Sequence, residues 1–174
     1  MTSAGPEVET MTGDVVQATR RTVSVLTSRA EQAPLRRARL CAHESAHEPL
    51  HEMLIVVDRD SYIRPHRHPG KTESIHVIEG TADLVIFDDD GTIADVVSIG
   101  DYASDRVFYF RLNAPVFHTL RVRSDKLTVH ETTNGPFNPA DTEFATWAAQ
   151  PEDTAACRRY IEALDRELAA RNSE

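Results

Sequence analysis

The stretch "PHRHPGKTESIHVIEG", residues 65 to 80, decides how the chain reads. His66 and His68 are two residues apart, so in an extended segment both imidazoles leave on the same face. Pro69-Gly70 marks a turn, after which Glu73 can bring its carboxylate back beside them. About forty residues on, Pro115-Val116-Phe117-His118 sets another histidine in an apolar run. Alternation gives His118 the same face as Val116, Leu120 and Val122, the expected interior. A lone interior histidine is ordinarily a hydrogen-bonded core residue. Three histidines and a glutamate converging on one cavity instead suit a divalent transition metal. One such ion per chain is therefore expected, with iron, manganese, zinc and nickel all compatible with the donors.

The surroundings favour an extended fold. Short β-rich runs fill residues 52 to 133: Met53–Val57, Ser74–Ile78, Asp83–Phe87, Val96–Ile99, Val107–Leu112, Val116–Val122 and Leu127–Glu131. Turn signals separate them, among them Glu79-Gly80, Asp89-Asp90-Gly91 and Asn113-Ala114-Pro115. Many short strands without intervening helices predict an antiparallel barrel or sandwich. The chain therefore divides into a polar, mobile tail over 1–12, an N-terminal helix over 13–34, a barrel domain over 35–152, and a C-terminal helix over 153–174. Val16, Val23, Leu26 and Ala30 form the apolar stripe of the first helix; Tyr160, Ile161, Leu164 and Leu168 form that of the last. Asp153 or Thr154 is the expected cap of the last helix.

Bulk properties exclude several classes. A net charge of −9 opposes an electrostatic grip on nucleic acid, so no nucleic-acid partner is expected. No apolar run approaches the ~20 residues that span a bilayer, so no membrane partner is expected either. The N-terminal residues lack a basic region followed by an apolar stretch, and the two cysteines form no C-x-x-C pair. The expected setting is the cytoplasm, with both thiols reduced.

At this point the sequence resembles the cupin superfamily. Its first motif, H-x-H-x(3,4)-E-x(6)-G, is matched by His66, His68, Glu73 and Gly80, and the histidine of its second by His118. The glycine usual between proline and histidine in the second motif is replaced here, which bears on the local turn rather than on the ligand. A narrower resemblance is to the WbuC-type cupin-fold metalloproteins. It rests on Ser61-Tyr62-Ile63-Arg64-Pro65-His66-Arg67-His68, on Lys71-Thr72-Glu73, on Phe87-Asp88-Asp89-Asp90-Gly91, on Gly135-Pro136-Phe137 and on Phe144-Ala145-Thr146-Trp147-Ala148. The resemblance implies an all-β cupin (double-stranded β-helix, or jelly-roll) barrel holding one metal through His66, His68, Glu73 and His118. Since cupins often pair, it also implies a homodimer.

A competing motif lies upstream. His43-Glu44-Ser45-Ala46-His47 matches the H-E-x-x-H pattern of zinc peptidases, which works only on a helix. Pro49 follows two residues later and an apolar strand soon after, leaving no room for that helix. By composition H-E-x-x-H arises by chance in roughly 3 of 100 shuffled chains, against roughly 1 in 1,000 for the longer pattern. The peptidase reading is rejected, and His43 and His47 are expected at the surface.

Other residues are placed by parity. Tyr62 and Arg64 share parity with His66 and His68, so they are candidates to line the same cavity, Arg64 either as a fork for a carboxylate or phosphate of the substrate or in a salt bridge at the rim, and Tyr62 as a catalytic group. Glu131 alternates with Val129 and Leu127: if those face inward it is a candidate acid or base behind the metal, and otherwise it pairs with a surface cation. Arg67 and Lys71 are expected to face solvent, as is His76, opposite Glu73. Asp88, Asp89 and Asp90 read as a hairpin turn, since calcium-loop spacing is missing.

The resulting expectation is a metal-dependent enzyme acting on a small polar molecule, sugar-type or a hydroxy or carboxylic acid, in polysaccharide or specialised-metabolite biosynthesis. Four protein donors leave open positions for substrate, water or O₂, which admits isomerase, lyase or hydrolase chemistry and, with iron, dioxygenation. The alternative is a non-catalytic cupin that senses a metal or small ligand, or is stapled by the metal.

Overall fold

The computed structural model describes residues 7–171. Two β-sheets face each other. The first has six strands in the spatial order β1 (Val8–Thr10), β2 (Arg37–Cys41), β3 (Leu50–Asp58), β10 (Lys126–Asn134), β5 (Glu73–Glu79) and β8 (Tyr109–Leu112). The second runs β11 (Glu143–Phe144), β4 (His66–Arg67), β9 (Phe117–Val122), β6 (Thr81–Phe87) and β7 (Ile93–Gly100). Neighbours are antiparallel throughout, apart from the parallel β1–β2 pair. The result is the jelly roll expected from the strand pattern, as an open sandwich rather than a closed cylinder.

Strand alternation builds two kinds of face. Residues such as Val57, Val77, Leu84, Val122 and Leu127 point between the sheets and form the main core. The opposite faces carry the helices. In α1 (Arg20–Gln32), Leu26 and Ala30 pack on Ala38, Leu40 and Val56 of the first sheet. In α2 (Thr154–Arg171), Leu164 and Leu168 pack on Val85, Phe87 and Phe117 of the second. Burying one such leucine stabilises the fold by about 1.5–3 kcal/mol. Because Phe117 faces α2, its neighbour His118 must face inward, as parity predicts.

Capping residues set the helix limits. Thr19 caps α1 in a reciprocal pair with Thr22, so the helix starts at Arg20 and residues 13 to 19 precede it. Asp153 caps α2, accepting a bond from the Ala156 amide at 2.8 Å.

The tail expected over 1–12 is corrected in part. Residues 1–6 lie outside the described residues, as do 172–174 of the last helix. Val8–Thr10, however, pair with Arg39–Cys41. Main-chain bonds hold them there, so the polar side chains are no obstacle: the Arg39 amide donates to the Glu7 carbonyl at 2.8 Å, and the Met11 amide to that of Cys41 at 2.9 Å.

Candidate metal centre

The potential ligands come from both sheets at one end of the sandwich. His66 on β4 pairs across the ladder with His118 on β9. His68 follows β4 directly, and Glu73 opens β5 in the facing sheet. The ligating nitrogens of His66, His68 and His118 all lie within 4.8 Å of one another. Glu73 is buried between two of them: its Oε1 lies 3.1 Å from His118 Nε2 and its Oε2 3.3 Å from His68 Nε2.

Each imidazole is oriented from behind. His66 Nδ1 lies 2.8 Å from the Arg64 carbonyl, and His118 Nδ1 lies 3.0 Å from that of Val116. His68 Nδ1 is 3.3 Å from both the Asp141 carbonyl and the Thr142 hydroxyl. A carbonyl only accepts, so Nδ1 carries the proton and Nε2 is left for the centre. Such outer bonds fix tautomer and ring angle in metal-binding histidines, so the donor set fits a divalent transition ion.

The electrostatics of the metal-free cluster keep His66 neutral and Glu73 charged, and favour the protonated form of His68. Burial, and then His118, push the pKa of His66 down to about 3. Burial pushes Glu73 up, but the bonds from His118 and His68 outweigh it and hold the carboxyl below the usual range. His68 is raised, chiefly by its bond to Glu73. Behind them Glu131 alternates on β10 with Leu127 and Val129 of the inner core, so it faces inward and not toward a surface cation. Burial and then the nearby Glu73 charge push its pKa up to about 7.

Tyr62 and Arg64 are placed elsewhere than parity predicted. The Tyr62 hydroxyl donates to the Ala149 carbonyl at 3.0 Å, and its ring meets Tyr160 of α2. Arg64 donates to Gln150 Oε1 at 2.8 Å and to the Ala145 carbonyl at 2.7 Å, over the Phe144 ring. Both side chains tie down the segment before α2 and leave the cavity. The reason is local: residues 61–65 are not a strand, and Pro65 breaks the two-residue period. Arg64 still serves the centre through its carbonyl.

Two basic residues expected in solvent are engaged. Lys71 donates to the Pro136 carbonyl at 2.9 Å and pairs with Asp141 at 3.2 Å. With His68, Glu73, Leu112, Ala114, Val116 and His118 it lines a narrow recess that opens to solvent. Arg67 lies over the Phe117 ring and bonds Glu143 and Asp89, closing the loop behind the motif. Loop residues 136–142 thus set both His68 and Lys71. Sequence offered no signal for this, because those contacts join positions some seventy residues apart.

The upstream histidines form no helix. Residues 42–49 are turns and bends. His47 is exposed, but His43 is not: its ring stacks on His51 with centroids 4.0 Å apart and planes within 4°. The β2–β3 connection folds His43 onto β3, which a local motif does not reveal. His76 is exposed against Phe108, as expected. Asp88–Gly91 form the hairpin turn, and both cysteines are free and buried.

Comparison with known proteins adds the fold. A family profile described as a domain of unknown function, DUF6016, matches residues 18–99. No curated protein matches the chain at a significant level. A crystal structure of a Shewanella oneidensis protein aligns with 70% of this chain and 84% of its own, at 13% identity and a TM-score of 0.51. The L-ribose isomerase of Cellulomonas parahominis aligns over 65% of this chain and 71% of its own, at 17% identity and a TM-score of 0.50. An oxalate decarboxylase variant from Bacillus subtilis aligns over 64% of this chain and 28% of its own, at 18% identity and a TM-score of 0.46. Likeness at these identities concerns architecture. The chain has the cupin jelly-roll fold.

Proposed function

We propose that this protein is a metal-dependent cupin enzyme acting on a small polar molecule, with His66, His68, His118 and Glu73 as ligands of one divalent transition metal. The observation that carries this reading is the convergence of three imidazoles, each anchored through Nδ1, on one buried carboxylate. When bound, such an ion supplies Lewis-acid polarisation or a nucleophile at neutral pH. The chain's own residues do the rest. Asp141, Thr142, Arg64 and Val116 hold the imidazoles in register, and Glu73 offsets positive charge. Glu131, with a pKa of about 7, is suited to take or give a proton behind the ligands. The recess beside Lys71 admits only a small ligand.

A sugar-type or hydroxy-acid substrate suits the polarity that His68, Lys71, Glu73 and His118 give the recess. The fold shared with an L-ribose isomerase supports the same substrate class. The narrower WbuC-type kinship, and with it a role in polysaccharide or specialised-metabolite biosynthesis, rests on the Ser61–His68 and Gly135–Phe137 segments and on Phe144–Ala148.

Manganese-substituted protein tests the enzyme reading by electron paramagnetic resonance and water-proton relaxation. An enzyme centre retains exchangeable water that aldoses or hydroxy acids displace. A coordinatively saturated ion indifferent to them identifies a structural centre and contradicts catalysis.

A further inference from the structure

The inner face of β2 carries two arginines. Ala38 and Leu40 are buried under α1, so alternation turns Arg37, Arg39 and Cys41 toward the space between the sheets. The register confirms this facing: Arg37 lies opposite Val57 and Arg39 opposite Ile55, both of the inner core. Cys41 lies opposite Met53, which is itself opposite Glu131 on β10. Arg39 is thus two strands across and two residues along from Glu131, about 12 Å at ordinary strand spacing, within the combined reach of an arginine side chain and a small ligand.

Both arginines are partly buried, yet neither guanidinium makes a hydrogen bond or ion pair with another residue among the described residues; Glu7 and Glu131 act on Arg37, and Glu131 on Arg39, only at longer range. Enclosed cations without partners are costly, and proteins normally pair them. Burial and then the neighbouring Arg39 hold Arg37 below its ordinary pKa, against the weaker opposing pull of Glu7 and Glu131. Glu131 feels Glu73 on one side and Arg39 on the other, so the arginines and the histidine cluster share one electrostatic interior.

We infer that Arg39, assisted by Arg37, is the anchor for an oxyanion group, carboxylate or phosphate, of the molecule that reaches the histidine cluster. The planar fork of a guanidinium suits either group. This deepens the metal-enzyme reading and rests on it for the rest of the substrate. The substrate is then acidic at one end and hydroxylated or carbonyl-bearing at the other, with several bonds between.

Calorimetric titration of D-gluconate, ribose 5-phosphate and neutral ribose tests the inference, on manganese-loaded and metal-free wild type, Arg39→Gln, Arg39→Lys and Arg37→Gln. At least one acidic probe is expected to bind wild type more tightly than ribose. Arg39→Gln should weaken that probe by about tenfold or more, as loss of a charge-assisted bond does, with Arg39→Lys intermediate. The preference between gluconate and ribose 5-phosphate identifies the group. Without ligand, Arg39→Gln should melt close to wild type, because the guanidinium makes no hydrogen bond or ion pair for the change to break. The acidic probe should raise the melting temperature of wild type more than that of Arg39→Gln. If Arg39→Gln fails to fold, that expectation is contradicted, and Arg39→Lys and Arg37→Gln still report on binding. Equal binding of acidic and neutral probes, or affinity indifferent to Arg39, overturns the inference. Failure of the metal reading appears separately, as absent manganese uptake in wild type, while arginine-dependent binding is read in the metal-free samples.

Discussion

At Glu131 the fold turns an ordinary carboxyl into one that titrates near neutrality. Its pKa rises from 4.5 to about 7, because burial and the nearby Glu73 disfavour its charged form. A group raised on folding contributes stability that is fully present below its unfolded pKa and lost as pH rises through the folded one. The metal-free protein should therefore lose stability between about pH 4.5 and 7 through this residue. Glu131→Gln should melt with wild type near pH 5 and above it near pH 8, a comparison made by thermal unfolding; parallel profiles would contradict the assignment. The four candidate ligands were legible in sequence because His66, His68 and Glu73 are local and His118 sits in an alternating apolar strand. Tyr62 and Arg64 misled, since parity assumes a strand that Pro65 prevents. Arg37 and Arg39 gave the opposite difficulty. Arginines alternating with alanine and leucine read as a solvated face, and only α1 covering the apolar side reveals that they point inward.

Two elements carry sharp energetic expectations. Gly80, the last residue of the first motif, has φ +92 at the passage from β5 into β6, and a Cβ there would meet the Lys126 carbonyl oxygen at 2.3 Å. Gly80→Ala should cost about 2–4 kcal/mol by combining backbone strain with overpacking. Leu168 is 2% exposed on α2 and packs against the outer face of the second sheet. Leu168→Ala should cost about 2–5 kcal/mol. Denaturant unfolding measures both, and a change under 1 kcal/mol in either would contradict the packing described. The longer strands were legible because five to nine residues display a two-residue period and end in turn signals. The two- and three-residue strands β1, β4 and β11 were not, because main-chain pairing holds them and their side chains show no period. β2 was missed despite five residues, since its inner face is charged.

At the scale of the whole molecule, one exposed surface is unpartnered. Ile78, Tyr102, Phe108 and Tyr109 crowd the edge of the first sheet along β8, where α1 does not reach. We propose that a second copy of the chain covers this edge, since exposed aromatics beside an open strand favour pairing. Sedimentation should then give a homodimer that Phe108→Ser with Tyr109→Ser shifts to monomer; a monomeric wild type would refute it. No described helix is long and apolar enough to cross a membrane. The claim on which the functional reading depends is that one end of the sandwich is a metal centre. Elemental analysis decides it, on wild type and a His68→Ala, Glu73→Gln double variant, both incubated with divalent metal and freed of excess. Wild type should carry one transition ion per chain and the double variant far less; an empty wild type, or equal loading of the two, would contradict the account.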